Sequence, residues 1–170
     1  AVEEIGAGVV ALLAPPLGER AGPIAHRHDL QSQDVPLLAE VVGEAEVRRK
    51  GRDIALLAFG AMVPTAEAVA EELDATVVNM RFVKPLDEEL ILDLVHTCQH
   101  VVTVEEAQRQ GGFGSAVSEL LQDRGVHDVR LATVALPDAF VEHGKPALLH
   151  SNVKLTSEAI AARIESAVAA

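Results

Sequence analysis

From residue 53 onward the apolar positions switch repeatedly between two periods. Ile54 to Phe59 is an unbroken apolar run ending at Gly60. A run without alternation predicts a strand covered on both faces, as in a parallel sheet. Pro64 then stands where a first helical turn tolerates a missing N–H, and Ala66, Val69, Ala70 and Leu73 recur at helical spacing. Thr76 to Met80 is a β-branched run and predicts the next strand. Arg81 to Pro85 predicts a loop, because Pro85 cannot continue a ladder. Leu86, Leu90, Ile91, Leu94 and Val95 predict a helix, with Asp87, Glu88 and Glu89 near its positive end. His100 to Val104 reads as a strand, and Val117, Leu120 and Leu121 as the apolar face of a helix ending near Gly125. Val129 to Leu136 is another strand, closed by Pro137. A loop from Asp138 to Pro146 and a short segment at Ala147 to His150 follow. The last helix, Leu155 to Val168, takes Thr156 or Ser157 as its cap and carries Ile160, Ile164, Ala167 and Val168 on its apolar stripe.

The sum is βαβαβαβα, which predicts an α/β fold with three α/β/α layers around a mostly parallel sheet. Residues 1–50 differ. Glycines 6, 8, 18 and 22 and prolines 15, 16, 23 and 36 break every pattern. Pro23 to Arg27 reads as a short strand, and Asp34 to Glu46 has no clean period. The expected division is a linker or the tail of a preceding domain over 1–50, and one α/β domain over 51–170.

Composition narrows the function classes. The 170 residues are 49% hydrophobic but 2% aromatic, with four Phe and neither Trp nor Tyr. Few aromatics argue against base stacking, and a net charge of −12 argues against a phosphate backbone as partner. No nucleic-acid partner is expected. The basic run Arg48-Arg49-Lys50-Gly51-Arg52 reads as a solvated turn before a strand. The single cysteine, Cys98, excludes an internal disulfide, reads as a small core residue and suits a reducing cytoplasm. Ile5 to Leu17 is too short to span a bilayer and is broken by Pro15-Pro16, so no membrane association is expected.

Three local patterns bear on chemistry. Gly111-Gly112-Phe113-Gly114-Ser115 follows a strand and opens a helix, where backbone N–H groups can hold phosphate. It lacks the lysine of a P-loop and the spacing of a dinucleotide fingerprint, so it reads as a tight turn for close helix–strand packing. Glu105 and Glu106 stand at a strand's C-terminal end, where open α/β sheets place ligands. On extended backbone they point to opposite sides, so they form no facing acid–base pair, and one is expected to contact the glycine turn or a neighbouring chain. His26 and His28 would share a strand face without an identifiable third metal ligand. Glu142-His143-Gly144 is a polar loop segment suited to an interface.

The strings Met80-Arg81-Phe82-Val83-Lys84-Pro85-Leu86-Asp87, Val102-Thr103-Val104-Glu105-Glu106, Gly111-Gly112-Phe113-Gly114-Ser115 and Leu136-Pro137-Asp138-Ala139-Phe140-Val141-Glu142-His143-Gly144 occur in that order. Together they resemble the C-terminal transketolase-like domain of the 1-deoxy-D-xylulose-5-phosphate synthases over about residues 53–170. The β subunits of 2-oxoacid dehydrogenases share this domain but match the last string poorly. A stand-alone interaction or regulatory module with this fold is the rival class.

The resemblance implies a parent enzyme that condenses pyruvate with glyceraldehyde 3-phosphate, releases carbon dioxide, and feeds isoprenoid, thiamine and pyridoxal synthesis. It implies thiamine diphosphate and Mg²⁺ held by the preceding domains and neither in this fragment, which carries no Gly-Asp-Gly motif with a distant Asn. No catalytic, cofactor-binding or metal-binding residue is then expected here. The implied partners are the preceding domains and a second copy, as a cytoplasmic homodimer. Residues 22–29 resemble the end of the middle domain. Arg27 matches a substrate-binding arginine, His26 replaces an apolar residue, and Leu30 falls where a phosphate-binding arginine is expected. Arg81, Lys84, Glu105, Glu106, Gly111, Gly112, Gly114, Glu142 and His143 are the expected structural and interface residues.

Overall fold

The structure is a computed structural model and describes residues 42–168. Arg27, His26, His28, Leu30 and the Pro23–Arg27 segment lie outside the described residues. The elements are β1 (Glu46–Arg49), β2 (Ile54–Ala58), a 3₁₀ turn (Gly60–Met62), α1 (Val63–Leu73), β3 (Thr76–Asn79), α2 (Glu88–Thr97), β4 (His100–Gln108), α3 (Phe113–Asp123), β5 (Arg130–Leu136), α4 (Pro146–Asn152) and α5 (Ser157–Val168).

The five strands form one sheet in the order β1-β3-β2-β4-β5. β3, β2, β4 and β5 are parallel, and β1 pairs antiparallel with β3 at one edge. Alternate residues of the central strand face opposite layers. Leu56 and Ala58 of β2 meet the α1 and α5 residues Val69, Ala70, Ile160 and Ile164. Ala55 and Leu57 meet Leu90 and Ile91 of α2 and Val117, Leu120 and Leu121 of α3. Both faces are dry, which is why the strand reads as continuous rather than alternating apolar sequence. This is the expected three-layer α/β/α arrangement. With so few aromatics, Phe59 and Phe113 still stack, with ring centroids 5.9 Å apart, on the α2–α3 side.

The sheet starts before the apolar pattern does. Arg48 and Arg49 are strand, not a solvated turn. Arg48 pairs with Glu67 and Glu46, each at 2.9 Å. Arg49 donates to the Ala75 carbonyl at 2.6 Å and pairs with Asp74 at 2.9 Å. Asp74 also takes Arg52 at 2.8 Å. Asp74 ends α1 in the left-handed conformation, φ 49°, which short polar side chains tolerate. Hydrogen bonds from Arg52 and then Arg49 hold its carboxyl below the usual aspartate range.

Local chemistry ends the other helices. Asp87 accepts from the Leu90 N–H at 3.1 Å, capping α2, and its second oxygen accepts from the Ala45 N–H at 3.0 Å. One side chain thereby fixes a helix start and the approach to β1. Cys98 closes α2 as a buried residue, and burial pushes its thiol pKa up. The Thr156 hydroxyl accepts from the Ala159 N–H at 3.4 Å at the start of α5.

Candidate functional site

The carboxyl ends of β2, β4 and β5 lie on one side of the sheet, the position at which open α/β folds place ligands. β4 extends four residues past Val104, and its register with β5 shifts between Val104 and Gln108. Such an irregularity re-aims side chains. Glu105 turns inward and is fully buried; Glu106 turns outward to solvent.

Glu105 closes the glycine turn. One carboxyl oxygen accepts from the Phe113 N–H at 2.7 Å and the other from the Gly114 N–H at 2.7 Å. These are orphan donors at the start of α3, so the side chain supplies the cap that Gly112 cannot. The helix N-terminus, which could otherwise hold an external anion, is satisfied from inside the fold.

The glycines make that approach possible. A Cβ on Gly112 would stand 2.3 Å from the Gln108 carbonyl and 2.5 Å from the Glu105 carboxyl. A Cβ on Gly114 would stand 2.6 Å from both Thr103 Oγ1 and Thr133 Cγ2. Gly111 turns the chain at φ +73°. Ser115 Oγ accepts from the Gly111 N–H at 3.0 Å and donates to the Arg109 carbonyl at 2.9 Å, closing the loop on itself.

Glu106 takes a different partner. Its carboxyl meets His150 Nε2 of α4 at 2.7 Å, tying the outer end of β4 to a helix with no buried residue. The sequence pattern did not indicate His150, whose partner lies 44 residues away.

The other expected positions are spread apart along the chain. Arg81 sits in the left-handed region at φ 54°, its guanidinium 6.0 Å from the Phe82 ring. Lys84 is exposed and precedes Pro85 through a cis peptide. Glu142 and His143 are exposed in the loop between β5 and α4, close in sequence to Phe140, which is 94% exposed. Among the described residues no group of three or more His, Cys, Asp or Glu side chains could hold a metal ion. With the Phe113 and Gly114 amides engaged by Glu105, these two N–H groups are not free to hold a phosphate. No helix among them is long and apolar enough to cross a membrane.

A mostly parallel α/β domain of this kind occurs in transketolase-like enzymes. Residues 43–160 match the family described as transketolase, C-terminal domain, and the chain belongs to that family. Among its relatives, the 1-deoxy-D-xylulose-5-phosphate synthase of Desulforudis audaxviator is 46% identical over 158 residues, covering 87% of this chain and 25% of that protein. The enzyme of the same name from Nitrosococcus oceani is 50% identical over 133 residues, covering 78% of this chain and 21% of its own length. The chain thus spans about a quarter of the curated relatives it matches. The solved structure of a split-gene transketolase, an inactive beta4 tetramer, is similar with TM-score 0.69 and 31% identity, over 75% of this chain and 43% of that one. The transketolase of Campylobacter jejuni, 20% identical with TM-score 0.53, shares the fold.

Proposed function

We propose that this chain is the C-terminal domain of a 1-deoxy-D-xylulose-5-phosphate synthase and serves assembly rather than chemistry. In the whole enzyme, pyruvate and glyceraldehyde 3-phosphate are condensed with loss of carbon dioxide. Thiamine diphosphate and Mg²⁺ belong to the preceding domains of that cytoplasmic enzyme. The observation that carries this reading is Glu105: the helix N-terminus that follows the glycine turn is engaged by the protein's own carboxyl. A linker or preceding-domain tail ahead of β1 and the substrate contact at Arg27 are part of the same reading.

Arg81, Lys84, Glu142 and His143 then serve the surfaces toward the preceding domains and a second subunit. The exposed Phe140 supports this for the loop between β5 and α4, since an isolated aromatic on a surface loop gains by being covered. A turnover assay with pyruvate, glyceraldehyde 3-phosphate, thiamine diphosphate and Mg²⁺ tests the division of labour. The 170-residue chain is expected to release no carbon dioxide above the protein-free background. Turnover abolished by Glu105→Gln would contradict it.

A further inference from the structure

We propose that the cleft beside the edge strand β5 is a binding site for a small phosphorylated molecule, separate from the Glu105 turn. The cleft has a volume of about 460 Å³, within the range of small-molecule sites. It lies between the C-terminal half of β5, the end of β4 and the face of α5. Three cations line it: Arg109, Lys154 and Arg163. No acidic side chain does. In a chain of net charge −12 with only 14 Lys and Arg, such a convergence runs against the overall composition.

None of the three has a carboxylate partner among the described residues. That distinguishes them from Arg48, Arg49, Arg52 and Arg124, each of which meets an Asp or Glu. The main chain is fixed at two of them, and the third is fixed through its side chain. The Arg109 N–H donates to the Leu136 carbonyl at 3.3 Å, and the Lys154 N–H donates to the Ser151 carbonyl at 3.3 Å. Arg163 donates from one guanidinium nitrogen to the Thr133 carbonyl at 3.2 Å, which leaves its other N–H groups available. Three exposed positive charges converging on one cleft suit a dianionic phosphate better than a monoanionic carboxylate. Ala135, Leu136, Val153 and Ala162 supply apolar walls, so a phosphate ester with a small organic body matches the lining better than the bare ion.

The test is an NMR titration of the 170-residue chain with phenyl phosphate and with inorganic phosphate, each against sodium chloride at matched ionic strength. Saturable shifts are expected at the amides of residues 109, 154 and 163, with phenyl phosphate the tighter probe. Arg109→Gln and Lys154→Asn should each weaken phenyl phosphate by about tenfold, the loss expected for one charge-assisted hydrogen bond. Asn suits position 154 because its φ is +59°. Arg48→Gln, in the antiparallel edge strand at the other end of the sheet order, should leave binding unchanged. Shifts that follow chloride equally, failure to saturate in the millimolar range, or undiminished, wild-type binding by both cleft variants would each overturn the proposal.

Discussion

Replacing Glu105 removes the cap of α3 from inside the fold. The wild-type carboxyl offers one acceptor oxygen to each of two buried N–H groups. Glu105→Ala strands both donors, and each buried unpaired amide costs about 1–3 kcal/mol, so the loss should be about 4 kcal/mol. Glu105→Gln keeps the shape but offers one acceptor and one NH₂ donor. One backbone N–H remains satisfied while the other faces a donor, which should cost about 2 kcal/mol. With a urea slope of about 2 kcal/mol per molar for a domain of this size, the Gln variant should unfold about 1 M earlier and the Ala variant about 2 M earlier. The assay is equilibrium urea unfolding followed by far-ultraviolet circular dichroism. If both variants fall within about 0.5 kcal/mol of wild type, the level typical of a neutral surface change, the capping role is wrong. If Gln costs as much as Ala, the assignment of one oxygen to each amide is wrong.

Three further outcomes follow from the same geometry. Gly114→Ala should destabilise by about 1–3 kcal/mol in the same urea assay, because overpacking against Thr103 and Thr133 outweighs the ordinary helical gain of alanine; a stabilised variant would show that the β4–β5 surface yields. Asp74→Asn should be less stable than wild type at neutral pH. Because the folded-state pKa of Asp74 is lowered, its contribution is present above the ordinary carboxylate range and lost as pH falls below about 4, so the two urea midpoints should converge there; a pH-independent gap would locate its role in backbone conformation instead. Cys98, buried and with its thiol pKa raised, should react with a thiol reagent at pH 8 only after urea unfolds the chain, and rapid labelling of the native protein would refute its placement.

The three-layer fold was legible because its two periods are strong. The run Ile54–Ala58 and the stripe Ala66, Val69 and Ala70 carry their burial in their sequence. β1 was not legible. It is four residues long, half exposed and half arginine, and its reason for being a strand is the edge of β3 and the carboxylates of Asp74 and Glu67. The opposite orientations of Glu105 and Glu106 followed from extended backbone, but their partners did not. The register shift after Val104 decides which carboxyl enters the α3 N-terminus, and His150 reaches Glu106 only once α4 is folded back. The cleft cations at 109, 154 and 163 belong to three separate segments, so no local motif announces them.

Whether this domain holds the cofactor is measured by a calorimetric titration of the 170-residue chain with thiamine diphosphate in the presence and absence of Mg²⁺. With the α3 amides occupied by Glu105 and no acidic metal cluster among the described residues, no Mg²⁺-dependent heat is expected. Tight, saturable binding that requires Mg²⁺ would contradict it and return the domain to the chemistry of its enzyme family.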